Sequence, residues 1–503
     1  MRSRTALLSA TLVTALLPGI SFATGGSDAV AETGSSNLTH VANLPHAPAP
    51  GSSTPAKGSD IEFATLDVTG LPDAVERGVS GVREFAVAGT INIDGVRNSG
   101  MQIIDITDPE KPVTAGIFEC INSQGDVQVF TRPDLGGRTF ATYVTDSSGT
   151  TSSPCYQAAR DKGFTSRPNG TFIVEITNPY APELVRFVEI PLGSHNQTVH
   201  PSGRYLYNSN NELTRATNAA IEYFDITDLE APKKLGDLRL TTGIDAHDIT
   251  FNAAGTRAYA AAITHTVIID TTDPAKPSVI SSIVDPTLGI QHQSDPVTIK
   301  DPVLGERTFL AVTDEFAGAA GNGWCPGGGV GIYDITGQLE RNPVRVGYWN
   351  IPEARVAGAG NGTGESLRCT SHVLRFYPEQ KLMTIGWYNA GTRVVDISGL
   401  VGASVGVSPE VGGNLPMGMR EVAYRWFDNS ETWASKIHKF EADGSAYVFA
   451  NDLKRGLDVF KYQPDAPASA DGGQWQDAAA VALKPKYDYS FGNLVPLCAS
   501  PTI

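Results

Sequence analysis

One short phrase returns seven times along this chain: an apolar pair, an acidic residue, a β-branched residue, a Thr or Ser, and a turn. Its fullest copy runs from Met101 to Pro112, MQIIDITDPEKP. It comes back as Ile173-Val174-Glu175-Ile176-Thr177-Asn178-Pro179, as Tyr223-Phe224-Asp225-Ile226-Thr227-Asp228 and as Ile268-Ile269-Asp270-Thr271-Thr272-Asp273-Pro274. Looser copies are Ile332-Tyr333-Asp334-Ile335-Thr336 and Val394-Val395-Asp396-Ile397-Ser398. In a degenerate seventh, Val459-Phe460-Lys461-Tyr462, Lys replaces the acid. The acidic positions lie 45 to 70 residues apart, and self-similarity at such a period marks a repeat architecture.

Each copy reads as strand, tight turn, strand. The β-branched and aromatic residues favour β, and the nearly continuous apolar run implies burial on both faces. Asp108-Pro109, Asn178-Pro179 and Asp273-Pro274 set Pro, with its fixed φ, behind an Asx residue that caps the turn. In the first unit strands are expected near Asp60–Asp67, Glu84–Asn92, Met101–Thr107 and Val113–Glu119. Seven such four-stranded units predict an all-β chain, a seven-bladed β-propeller of antiparallel blades, in which radial closure leaves only short edges. A string of immunoglobulin-like sandwiches would want roughly 100 residues per domain, more than these units contain. The last unit offers Lys436–Glu441, Ala446–Ala450 and Leu457–Tyr462 but no fourth strand. The alternating Asn37–Leu44 is expected to supply it and close the ring.

Residues 1–23 read as a secretory signal: Arg2 and Arg4, an apolar Ala6–Leu17, then Ser21-Phe22-Ala23 as a cleavage site. Residues 24–36 read as a disordered tether, 37–463 as the propeller and 464–503 as a tail. The chain is therefore expected to be secreted or at the cell surface, with no membrane span after processing. Its formal net charge of −16 argues against nucleic acid as a partner.

The repeated strand resembles the LVIVD repeat of secreted bacterial β-propellers. The likeness runs from about Asn37 to Tyr462 and is carried by IIDITDPEKP, by Ser123-Gln124-Gly125-Asp126-Val127 and by His247-Asp248-Ile249. It implies export and a propeller, and it brings no agreed activity.

Aligning the first strands of the units places Ser59-Asp60, Gly125-Asp126, His195-Asn196, His247-Asp248, Ser294-Asp295, His372-Val373 and His438-Lys439 in one register. His292, two residues before Ser294, faces the same way. First strands converge on the axis. His195, His247, His292, His372 and His438 are therefore candidate ligands for a transition metal such as copper, zinc or iron, with Asp248 and Asp295 orienting them from a second shell. The competing reading has each His bonding a neighbouring blade and the Asp residues capping strand starts. His placement and fold are also similar to those of metal-dependent propeller oxidases such as methanethiol oxidase. His200 and His265 fall elsewhere and read as structural.

Five cysteines in an exported chain point to disulfides. Cys120–Cys155 and Cys325–Cys369 are the expected pairs, and Cys498 is left over. Long insertions (146–170, 208–220, 314–329, 351–368 and 400–435) are expected on the rim that carries the histidines. The last holds Met417, Met419, Tyr424, Trp426, Phe427 and Trp433. No nucleophile elbow, zinc-protease helix, phosphate loop or EF-hand is present. Two function classes follow. One is a non-catalytic binding or scaffold module presenting its rim to a protein, glycan or small molecule. The other is a metal-dependent oxidoreductase or hydrolase using the histidines.

Overall fold

A computed structural model describes residues 30–122, 124–146, 152–164, 169–210, 219–240, 245–301, 305–315, 328–355, 370–402 and 419–464. They form seven antiparallel sheets, the blades of a β-propeller. Blade 1 is Lys57–Asp67, Val82–Ile91, Gly100–Asp105 and Val113–Glu119, with the strands paired in chain order. Blades 2 to 5 repeat that order from Val127, Asn196, Asp248 and Gln291 respectively.

The repeated phrase is the third strand of each blade, and its chemistry explains its recurrence. Most hydrophobic burial is divided among seven slabs, one at each blade–blade contact. The apolar pair sends one side chain to each side. Ile103 joins the slab between blades 1 and 2, and Ile104 the slab between blades 7 and 1. Ile268 and Ile269 divide likewise between the two neighbours of blade 4. A strand buried on both faces must be apolar at consecutive positions, which is why the alternation expected of a half-buried strand is absent.

The acid two residues before the Thr is a turn cap. Asp105, Asp225, Asp270 and Asp334 accept the backbone N–H of Thr107, Thr227, Thr272 and Thr336 at 2.8–3.0 Å. The Thr hydroxyl then accepts from the second strand, as Thr107 Oγ1 does from Glu84 N at 3.1 Å. Both bonds satisfy backbone groups that the strand end leaves open. The following Asp or Asn repeats the device one turn on, for instance Asp273 accepting from Ala275 N at 3.1 Å. A bulge between third and fourth strands recurs in blades 1 to 6, as at Ile103/Ile104 and Val394/Val395.

The ring closes as the sequence implies. Leu38–Leu44 pairs antiparallel with Gly456–Tyr462 and becomes the outer strand of blade 7. Two boundaries differ from expectation. The tether expected over 24–36 contains a strand, Glu32–Gly34, which adds a fifth member to blade 6 by pairing with Arg420–Phe427. Arg425 holds it there, donating to Leu38 O and Ser35 O at 2.7 Å each and pairing with Glu32 at 2.6 Å. The first strand of blade 7 also starts earlier than expected, at Thr432, and runs to Phe440 with two bulges.

Cys120 and Cys155 are bonded, which ties a helix, Pro154–Asp161, against the outer strands of blades 1 and 2. The proposed partners Cys325 and Cys369, and Cys498, lie outside the described residues, as do residues 1–23, read above as a signal, and residues 465–503. So do 211–218, 316–327, 356–369 and 403–418, most of the expected rim insertions. Tyr424, Trp426 and Phe427 are not insertion residues: they belong to the fourth strand of blade 6. There the buried Arg393 guanidinium lies about 5 Å from the Tyr424 and Trp426 rings and pairs with Glu421 at 3.1 Å. No helix among the described residues is long and apolar enough to cross a membrane.

Candidate metal centre

The first strands start at the axis, and the residue just inside each start points at its neighbours. His195, His247 and His372 each donate their backbone N–H to the last residue of the adjacent strand, at Ser209, Ala261 and Gly386. That shared register brings four imidazoles from consecutive blades into an arc. Ring centroids are 4.5 Å apart for His195–His247, 4.2 Å for His247–His292 and 4.2 Å for His292–His372. All four residues are at most 3% exposed. In blade 7 the arc continues as Trp433, 4.3 Å from His372.

His438 is not part of it. It lies five residues further along the blade 7 strand, where its Nε2 meets Glu84 Oε2 at 2.6 Å and its ring stacks on Phe63. The earlier strand start and its bulges shift the register, so Trp433 takes the place expected for His438. His200 bonds the Gly255 carbonyl at 2.8 Å, a structural role, and His265 is buried apart from the arc.

The groups that touch the imidazoles are not those expected. Asp248 accepts from Asn196 Nδ2 at 2.9 Å, and Asp295 from Thr250 Oγ1 at 2.6 Å. Neither is bonded to an imidazole. Instead Asp146 Oδ2 faces His195 Nδ1 at 3.3 Å. Glu315, fully buried, sits 3.6 Å from both His292 Nε2 and His372 Nε2. Its Oε1 accepts the Tyr388 hydroxyl at 2.7 Å. Asp146 and Glu315 follow the ends of second strands, outside the repeated phrase. The signal available was the pair of acids closing Val144-Thr145-Asp146 and Val312-Thr313-Asp314-Glu315.

Burial pushes the His247 and His292 imidazoles well below their ordinary pKa, and the neighbouring rings add to it. His372 is lowered to about 3 by burial, against the bond it makes to the Trp433 carbonyl. Its Nδ1 is 2.8 Å from that carbonyl oxygen, which can only accept. A neutral His372 therefore holds its proton on Nδ1 and presents the Nε2 lone pair towards the Glu315 carboxylate. His195 Nε2 and His247 Nε2 are 3.0 Å apart, near the roughly 3.3 Å separation of two nitrogens on one tetrahedral zinc. Donor atoms of His247, His292 and Glu315 all lie within 4.8 Å of one another. Neutral imidazoles with one carboxylate are a donor set for zinc, copper or iron.

His247, His292 and His372 also line a chamber of about 240 Å³ on the axis. Lys436 of blade 7 reaches into it and bonds Asp60 Oδ1 at 2.7 Å and Glu62 Oε1 at 2.9 Å. Burial works against the Glu62 charge, but Arg375 and Lys436 hold its pKa down to about 2. Asp126, Asp248 and Asp295 line the chamber too, with no cation bonded to them. Burial, with Asp295 and Asp60 nearby, lifts Asp248 to about 7; burial, Asp60 and Asp248 lift Asp126 well above the carboxylate range.

The opposite side of the arc is closed by backbone. Blades 1 and 2 carry Ser59 and Gly125 before Asp60 and Asp126, and Ser59 Oγ donates to the Gly125 carbonyl at 2.7 Å. A Cβ on Gly89 would run into that carbonyl, and one on Gly125 into the Thr90 carbonyl.

No family model matches the chain, so the LVIVD likeness rests on the repeated strand itself. No curated protein matches either. Solved structures similar in fold include a functionally unknown protein from Desulfotomaculum acetoxidans (14% identity, 69% of this chain and 84% of that one, TM-score 0.41). A candidate 6-phosphogluconolactonase from Bacteroides fragilis shares 12% identity over 69% and 92% of the chains, TM-score 0.38. The periplasmic gluconolactonase of Pseudomonas aeruginosa shares 10% over 67% and 92%, TM-score 0.39. Likenesses this distant carry no activity across to this chain.

Proposed function

We propose that this chain is an extracytoplasmic, metal-dependent β-propeller enzyme. A single transition-metal ion is held by the arc of His195, His247, His292 and His372 with Glu315, beside a polar chamber that admits a small substrate. One observation carries the reading: ligating atoms of His247, His292 and Glu315, all three buried, lie within 4.8 Å of one another. A cation among them would offset the cost of burying a carboxylate there. Tyr388 orients Glu315, and Asp146 faces His195 Nδ1, the arrangement that fixes a ligating imidazole's tautomer. The Cys120–Cys155 bond fits an oxidising compartment.

Elemental analysis of protein purified without chelators tests this. One equivalent of zinc, copper or iron is expected, and His292→Ala should lose it. Sub-stoichiometric metal after reloading at neutral pH would sink the proposal and leave the binding-module reading.

A further inference from the structure

Four described residues other than glycine hold a left-handed backbone, and two of them stand at the same place in the fold. Ile263 (φ 60°) lies two residues past the second strand of blade 4, Arg257–Ala261, and Tyr388 (φ 36°) two residues past that of blade 6, Leu382–Gly386. For a β-branched residue this conformation is an outlier, because Cβ crowds the following carbonyl oxygen. Such strain persists only where the surroundings impose it. Each of the two residues exchanges a pair of backbone bonds with the residue that opens the first strand of the next blade. Ile263 N–H donates to Gln291 O at 3.1 Å and Gln291 N–H to Ile263 O at 2.7 Å; Tyr388 and Thr432 do the same at 3.0 Å each way. Next along the chain come His292 and Trp433, both members of the arc.

Side chains add to the hold on blade 5. Ile263 and Ile290 are buried against each other. From the same turn, Thr266 Oγ1 donates to Gln291 Oε1 at 2.7 Å, and both residues are fully buried. Ile290 and Gln291 are the two residues before His292, so the backbone that carries the imidazole is fixed on an apolar and on a polar side. Glycine at position 263 would take up the same φ without strain, yet it would release Ile290. Backbone geometry alone does not call for isoleucine here; the contact with Ile290 does.

We propose that Ile263 is a positioning residue of the metal centre: its strained backbone and its side chain together hold His292 where it shares an ion with His247 and Glu315. This rests on the metal reading and adds to it the element that sets the geometry before the ion arrives. A ligand held in this way loses little freedom on binding, so both the affinity and the shape of the coordination sphere depend on the hold. Tyr388 is the counterpart in blade 6, where the strained residue delivers its hydroxyl to Glu315 at 2.7 Å.

Titrating the chelator-treated full chain with cobalt(II), read by its visible absorption bands, tests the proposal. Wild type should take up one equivalent. Ile263→Gly should weaken cobalt binding by roughly tenfold or more and shift the bands. Ile263→Val, which keeps the contact with Ile290, should bind as wild type does, with the same bands. Thr266→Val lacks the hydroxyl on Gln291 and should weaken binding by about threefold; it decides the matter if Ile263→Gly does not fold. Gly89→Ala, which strains the opposite side of the ring, is the control for lost stability and should bind cobalt normally. Unchanged affinity and bands in Ile263→Gly and Thr266→Val would overturn this proposal and leave the metal reading intact. Equal weakening by Gly89→Ala would overturn it too, since affinity would then only mirror stability. A wild type that takes up no cobalt would overturn both.

Discussion

At one level of the propeller axis, blades 3 to 7 contribute four imidazoles and an indole, while blades 1 and 2 contribute Ser59 and Gly125. The seven units share one fold, so the difference is not architectural. In the first half-circle side chains meet side chains. In the second, backbone approaches backbone so closely that a methyl group at Gly89 or Gly125 has no room. A repeat fold needs every blade to pack but only some to do chemistry. Here the two tasks fall to different arcs of the same ring, and substitutions on each should fail in different ways.

The largest effect should come from outside both arcs. Deleting Leu38–Leu44 exposes the paired edge of Gly456–Tyr462 and opens the ring. The melting temperature should fall by on the order of 10 °C or more. A melting temperature within two or three degrees of wild type would show that closure is not what holds the ring.

Next comes the backbone seam. Gly89→Ala should cost about 3 kcal/mol by overpacking, while the folded fraction keeps its full metal content. Loss of metal in proportion to stability would erase the distinction between the two arcs. Cys155→Ser, on the same side, should cost roughly 2–4 kcal/mol by releasing a constraint on the unfolded chain, again without touching the metal. Denaturant midpoints and elemental analysis report both.

On the other arc the pattern inverts. His292→Ala should abolish stoichiometric metal while leaving metal-free stability within about 1 kcal/mol of metal-free wild type, since an imidazole buried at such cost is no asset to the fold. His438→Ala should keep its metal. A His438 variant that loses metal would mean the arc extends where the geometry does not place it.

The smallest effect is one of slope. Asp126 holds its proton in the folded chain to a higher pH than in the unfolded chain, so its contribution is lost as pH rises above the ordinary carboxylate range near 4. Relative to wild type, Asp126→Asn should gain stability progressively from pH 4 upward. A flat difference between the two proteins across pH 4 to 7 would refute the shift.

The fold was legible because its defining strand is buried on both faces and capped by its own side chains. Ile103, Ile104, Asp105 and Thr107 each have a task that admits few alternatives. The arc was legible in part. His195, His247, His292 and His372 could be aligned because a strand start fixes which way a side chain points. Blade 7 broke the alignment, since its bulges between Thr432 and Ala434 and between Ile437 and Phe440 change the count. That error hid Trp433 and Lys436 together. Glu315 and Tyr388 sit beyond the ends of second strands, outside the repeated phrase, and only three dimensions bring them to the imidazoles. The strand Glu32–Gly34 is three residues of no pattern, ordered by Arg425 from the far end of the chain.

The closure of the ring carries a consequence in time. The residues that seal the ring are synthesised long before their partners: His40 and Asp458, which bond across the closure, are 418 positions apart. Nothing the ribosome makes in between can satisfy them. Contacts of such long range carry a large loop-closure cost and form late, so the chain spends most of its production as an open crescent with an unpaired edge. Blades 3 to 6 can assemble their imidazoles within that crescent, whereas the chamber is walled only when blade 7 arrives. Loading the arc and enclosing the chamber are therefore separate events, in that order.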